Sequence, residues 1–260
     1  MKQNLKIFFV AAAMLAASLV TTTNAKADGL APGEGIYAGA FMGLGMGILQ
    51  AEVNGVTATD LSTGEVKPAT SFETERGGLG LSGIQGGIWL GYGMKTADDL
   101  YFGAEVTALG SDEKIELSGR IKNSSLEAGG VTITSISAQR TWSAGGALRV
   151  GYYVNSDTLF SVKGGVAVSE FDVDIGASSE TYYAGGPQMG ASVETRLSKI
   201  DPNLSLRMEG VYTNYLTADI LGQAGVGRTT GSTQHDSQLT GHDMAARVGE
   251  IGRASCRERV

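Results

Sequence analysis

Apolar and polar positions alternate with a period of two, repeatedly, along most of this chain. From Ile36 to Ile48 every even position is apolar, and the odd positions, Tyr37, Gly39, Phe41, Gly43, Gly45 and Gly47, are mostly small. A period of two places alternate residues on opposite faces of a strand. The same pattern predicts seven further strands. Their apolar faces carry Ile84, Ile88, Leu90 and Tyr92 (80–94); Leu100, Phe102 and Val106 (100–108); Trp142, Leu148, Val150 and Tyr152 (142–154); Phe160, Val162, Val166 and Val168 (159–168); Met189, Val193 and Leu197 (188–197); Leu204, Leu206, Met208 and Tyr212 (204–212); and Met244, Ala246 and Val248, in a strand that begins near His242.

The connectors alternate in length. Those at Met94–Asp99, Asn155–Asp157 and Ser198–Asn203 are short and polar, with turn-forming residues. Those at 50–77, 110–140, 169–184 and 214–241 are long. Short turns on one side and long loops on the other are the habit of outer-membrane barrels, and strands near ten residues suit a tilted membrane crossing. The predicted fold is all-β: an eight-stranded antiparallel transmembrane β-barrel with up-and-down topology. An even strand count closes the ladder and leaves no edge in lipid.

Charge positions fit that facing. Glu105, Arg149, Lys163, Glu194, Arg207, Glu209 and Arg247 all fall opposite the apolar set. Arg or Lys facing the bilayer midplane would cost about 2–4 kcal/mol. These seven are therefore expected to line the lumen as a charge network, with Glu105 near Arg149 as the leading pair. A barrel of eight strands is filled by side chains and holds no open channel.

Composition adds the ends of the chain and several exclusions. Lys2 and Lys6, the apolar run Leu5–Val20 and Ala25-Lys26-Ala27 form a signal-peptide pattern over residues 1–27, with cleavage before Asp28; a cut after Ala25 and an uncleaved membrane helix are the other readings. That segment holds three Lys and no acid, so the rest has 17 basic residues against 27 acidic, a net of −10. Such acidity excludes nucleic acid as a partner. One Cys, Cys256, and two His, His235 and His242, are too few for the usual zinc sets, and no cofactor is expected. Glycine is 39 of 260 residues, set inside alternating segments, which points to a narrow interior or tightly bending strands.

Other motifs weigh little. Gly78-Leu79-Gly80-Leu81-Ser82-Gly83 matches a dinucleotide pattern but sits in a strand followed by strand, where no helix N-terminus meets a phosphate. His235, Asp236, Ser237, His242 and Asp243 permit a hydrolase constellation to be imagined, yet no nucleophile elbow accompanies them, so the chain reads as a non-enzyme.

Gly145-Gly146-Ala147-Leu148-Arg149-Val150-Gly151-Tyr152, then Leu159-Phe160-Ser161-Val162-Lys163-Gly164-Gly165-Val166-Ala167, resembles the small outer-membrane barrels of Gram-negative bacteria, the OmpA-like or porin family. So do Leu100–Glu105 and Asn203–Tyr212. The resemblance covers most of residues 28–250, expected to be the barrel domain. It implies export to the outer membrane, contact with outer-membrane lipid and lipopolysaccharide, handling by the barrel-assembly machinery, and a structural or surface-interaction role with loops displayed to an extracellular ligand. A narrow or gated channel for small solutes is the alternative. Residues 251–260 depart from the family, lacking a terminal aromatic strand, and read as a non-native tail; a genuine basic tail is the other reading.

Overall fold

A computed structural model describes residues 30–55, 58–59, 66–67, 71–73, 79–121, 133–175, 178–216 and 235–254. The strands, in chain order, are β1 (Gly35–Gly55), β2 (Ala58–Thr59), β3 (Val66–Lys67), β4 (Ser71–Glu73), β5 (Leu79–Lys95), β6 (Leu100–Ser111), β7 (Lys114–Ile121), β8 (Ile133–Asn155), β9 (Thr158–Ile175), β10 (Ser178–Arg196), β11 (Leu204–Tyr215) and β12 (His235–Ala254). Eight long antiparallel strands form the wall in the order β1-β5-β6-β8-β9-β10-β11-β12. β1 pairs with both β5 and β12, which closes the barrel. β7 continues β6 along β8, β4 adds to β1, and β2 pairs with β3.

The alternation read from the sequence is the in–out pattern of this wall. Met42, Leu44, Leu148, Val166, Met189 and Met208 are exposed on its outer face, as an acyl-chain solvent requires. Aromatic rings bound the apolar band. Tyr92, Phe102, Tyr152 and Phe160 face outward near the short turns. Trp142 meets Tyr183, and Tyr212 stacks on His242, towards the long loops. Trp142 and Tyr152 lie ten residues apart on β8. At about 3.3 Å per residue and a tilt near 40° that spans about 25 Å of membrane normal, the height of an outer-membrane apolar band.

Several strands run well past that band. β9 and β10 pair up to Ile175↔Ser178, so the connector expected at 169–184 is mostly strand. Its residues alternate there too, but with Phe171 and Val173 inward and Glu170 and Asp172 outward, the reverse of a lipid-facing strand. β12 likewise begins at His235, ahead of the expected start near His242, and its pairing with β1 continues through Ala254. Residues 251–254, counted with the tail, are therefore strand; 255–260 lie outside the described residues, as do residues 1–27, expected to be a signal peptide. Of the second long connector, β7 (Lys114–Ile121) pairs with the start of β8, with Lys114↔Gln139 as the first pair above the break after β6.

An irregularity towards the long loops changes the facing of β8. The β8–β9 register shifts between Arg140 and Trp142, a bulge at Thr141. Inward residues of β8 are odd-numbered below it (Ser143, Arg149, Tyr153) and even-numbered above it (Ala138, Arg140).

Candidate functional site: the charged lumen

The interior is organised in layers along the barrel axis. Nearest the short turns, Tyr101, Tyr153 and Leu159 pack together, with Ala31 against them. Above them lies the main charge cluster. Arg207 Nε and Nη2 donate to Glu194 Oε2 (3.1 and 2.9 Å), and its Nη1 bonds Glu105. Arg149 Nη1 stands 3.6 Å from Glu105 Oε2 and its Nη2 stands 3.7 Å from Glu194 Oε2. Arg149 also donates to Tyr37 Oη (3.0 Å) and Ser161 Oγ (2.8 Å), and Tyr37 Oη donates to Glu105 Oε2 (3.0 Å). Lys163 Nζ donates to Glu209 Oε1 (2.9 Å) and reaches Glu105 Oε1 (3.5 Å). Arg247 closes the ladder, donating to Glu209 Oε1 (3.4 Å) and Gln85 Oε1 (3.2 Å). The seven charges singled out in the sequence thus lie in one continuous cluster, all buried.

Aromatic rings fill the space beside the charges. Trp89 and Phe41 stack at 4.6 Å, Arg207 lies over Trp89 (4.8 Å), and Arg247 lies over Phe41 (5.0 Å). Cations over ring faces in a desolvated setting gain from the ring quadrupole.

Sequence reasoning missed a second cluster. At the loop end, Arg140 Nη1 donates to Asp243 Oδ2 (2.6 Å) and to Tyr215 Oη (3.3 Å), while its Nη2 bonds Glu113. Ser169 Oγ lies 2.8 Å from Tyr215 Oη. Glu113 reaches this position from a break between β6 and β7. Asp112 Oδ1 accepts from Ile84 N (2.8 Å) and Asp112 N donates to Ile84 O (3.1 Å), holding the break, while Glu113 N donates to Ser111 Oγ (3.0 Å). A collar of Leu49, Leu81, Ala138, Phe171, Val173 and Ala184 surrounds the triad. A cavity of about 10 Å³ remains beside it, room for about one water.

The two clusters complement each other in charge. The main cluster has four bases and three acids; the triad has one base and two acids. Together they hold five of each. They meet at Gly45, where a Cβ would strike the Glu113 carboxylate and come within 3.0 Å of Gln85 Nε2. Glycine there makes the approach possible.

The imagined hydrolase residues are not brought together. His242 and Asp243 are adjacent on β12 and face opposite sides of the wall. His242 lies outside with Nδ1 2.7 Å from Tyr212 Oη, and Asp243 lies inside on Arg140. The side chains of His235, Asp236 and Ser237 lie outside the described ones. Gly80 and Gly83 of the glycine-rich motif sit in β5, and Gly78 lies outside the described residues.

No protein-family model matches the chain, and no curated protein matches it. Solved structures similar to it include the attachment invasion locus protein Ail of Yersinia pestis (10% identity, TM-score 0.34, covering 83% of this chain and 99% of that one). Neisserial surface protein A is similar at 14% identity (TM-score 0.35, covering 83% and 97%). So is the outer-membrane protease OmpT of Escherichia coli, at 8% identity (TM-score 0.38, covering 82% and 96%). Likenesses this distant carry no argument about activity; the strand pairing and the facing of the side chains define the chain as a closed, eight-stranded antiparallel transmembrane β-barrel.

Proposed function

We propose that the protein spans the outer membrane of a Gram-negative bacterium as a plugged barrel. Its work is structural and surface-directed: it holds its place among lipid and lipopolysaccharide and presents the wall and loops above the membrane to extracellular ligands. It performs no catalysis. The observation that carries this reading is the closure of the lumen. Glu105, Arg149, Glu194 and Arg207 are all 3% exposed or less, which no side chain lining a water-filled passage would be. The opposed facing of His242 and Asp243 supports the non-enzymatic part.

A second reading, a narrow or gated channel for small solutes, draws support from another observation. Arg149 Nε, Glu194 Oε1, Glu209 Oε2 and Gln85 Nε2 are buried without a protein partner, and ordered water along the axis would satisfy them. Planar-bilayer recording of the refolded protein separates the two. The plugged barrel gives no steady single-channel conductance. A steady conductance that changes on replacing Glu105 or Arg149 would establish the channel in its place.

A further inference from the structure

The turn end of the barrel is covered by the segment that precedes β1. Residues 30–34 do not run straight out from the wall. Glu34 N donates to Ala31 O (3.0 Å) and Glu34 Oε2 accepts from Ala31 N (3.0 Å), which folds them into a tight turn. Ala31 rests on the Tyr101–Tyr153–Leu159 layer. Tyr153 Oη donates to the Pro32 carbonyl (2.7 Å). Gly33 takes φ +74°, and a Cβ there would lie 2.8 Å from the Tyr101 ring and 3.1 Å from Leu159. Pro32 and Gly33 are both buried. Arg253 Nη1, from β12, also donates to the Leu30 carbonyl (2.6 Å), so the turn is held by β6, β8, β9 and β12 of the wall.

The turn lies one side chain from the charge cluster, because Tyr101 Oη accepts from Arg149 Nη1 at 3.4 Å. Its buried residues, Pro32 and Gly33, are small, and among the described residues its hydrogen bonds to the wall are two, from Tyr153 and Arg253. The wall, by contrast, is a closed ladder with every strand paired on both sides. Such a turn can open more easily than the ladder beside it, leaving the barrel intact.

We propose that residues Leu30–Glu34 act as a strap that seals the turn-side mouth of the lumen, the periplasmic mouth by the usual placement of short turns. Withdrawn, the strap uncovers the Tyr101–Tyr153–Leu159 floor and lets water reach the underside of the charge cluster. The inference rests on the plugged-barrel reading above, but its readout is thiol chemistry and not conductance, so the two fail separately.

The test uses the barrel refolded in lipid vesicles, with Cys256→Ser to remove the native thiol and Leu159→Cys to place one beneath the strap. Leu159 is fully buried in the intact protein. The probe is iodoacetamide, and heat-modifiable gel mobility verifies that each variant is folded. Gly33→Trp, and separately deletion of residues 28–33, are expected to raise the labelling rate at least about tenfold over the strap-intact barrel. Equal rates in folded barrels with and without the strap would overturn the proposal. So would rapid labelling with the strap in place. If the deletion fails to fold, Gly33→Trp carries the comparison alone, since it leaves the chain length unchanged.

Discussion

The barrel has two storeys with opposite polarity, and β9 passes through both. In the lower one its outward residues are Phe160, Val162, Val166 and Val168, and its inward ones include Ser161 and Lys163. In the upper one Glu170 and Asp172 face out, and Phe171 and Val173 face in. The pairing of β9 with β10 runs unbroken through both, and β9 keeps its odd-numbered residues inward throughout; what changes is the solvent outside. Below, hydrocarbon surrounds the wall, so apolar groups go outside and every charge needs an interior partner. Above, water surrounds it, and the ordinary hydrophobic rule returns. The difference shows that the period of two encodes a closed strand wall, while the phase of that period encodes which solvent lies outside.

Substitutions probe this contrast, read by denaturant titration of vesicle-refolded protein followed by Trp89 and Trp142 fluorescence. The largest loss is expected inside the lower storey. Arg207→Met removes the nearest cation from both Glu105 and Glu194, leaving them only Arg149 (3.6 and 3.7 Å) and, for Glu105, Lys163 (3.5 Å), and should destabilise by about 3–5 kcal/mol. An effect below about 1 kcal/mol would mean that the acids find other partners. Next comes the lower outer face: Leu148→Arg, at a position 70% exposed to lipid, should cost about 2–4 kcal/mol. In the upper storey, Val173→Ala trims the buried collar and should cost about 1–2 kcal/mol, read as faster proteolysis above the membrane with the spanning ladder unchanged. The smallest effect belongs to Asp172→Arg, within about 0.5 kcal/mol, because that side chain meets water. If Asp172→Arg matched Leu148→Arg, the two-solvent account would be wrong.

The lower storey was legible from sequence because lipid makes the contrast between faces extreme. Met42, Leu44 and Met46 on one side of β1, and the seven charges on the inner side of other strands, leave one consistent facing. The upper storey was not legible, for two physical reasons. Its polarity is inverted, so Phe171 and Val173 among acids resemble a loop when apolar-outward strands are sought. Its phase also breaks at Thr141. The even-outward rule that holds for Trp142, Ala144 and Leu148 would send Arg140 outward, whereas the bulge turns it inward onto Glu113 and Asp243. The alternation of Glu170, Asp172 and Asp174 with Phe171, Val173 and Ile175 is the available signal, and it is opposite in polarity to a lipid-facing strand, with Glu170 and Asp172 outward and Phe171 and Val173 inward.

The Thr141 bulge has a further consequence. Chain length, counted as odd or even, is itself a structural variable in this wall. Removing that one residue would set Arg140 beside Trp142 and restore regular alternation, with Arg140 and Ala138 still inward and Gln139 still outward. A single-residue deletion elsewhere in the upper part of β8, with the bulge kept, would instead turn the residues beyond the cut to the other face, while a paired deletion preserves facing and shifts only register. The upper storey should therefore tolerate loss of Thr141 itself, and away from the bulge it should tolerate length changes in twos where it cannot tolerate them singly.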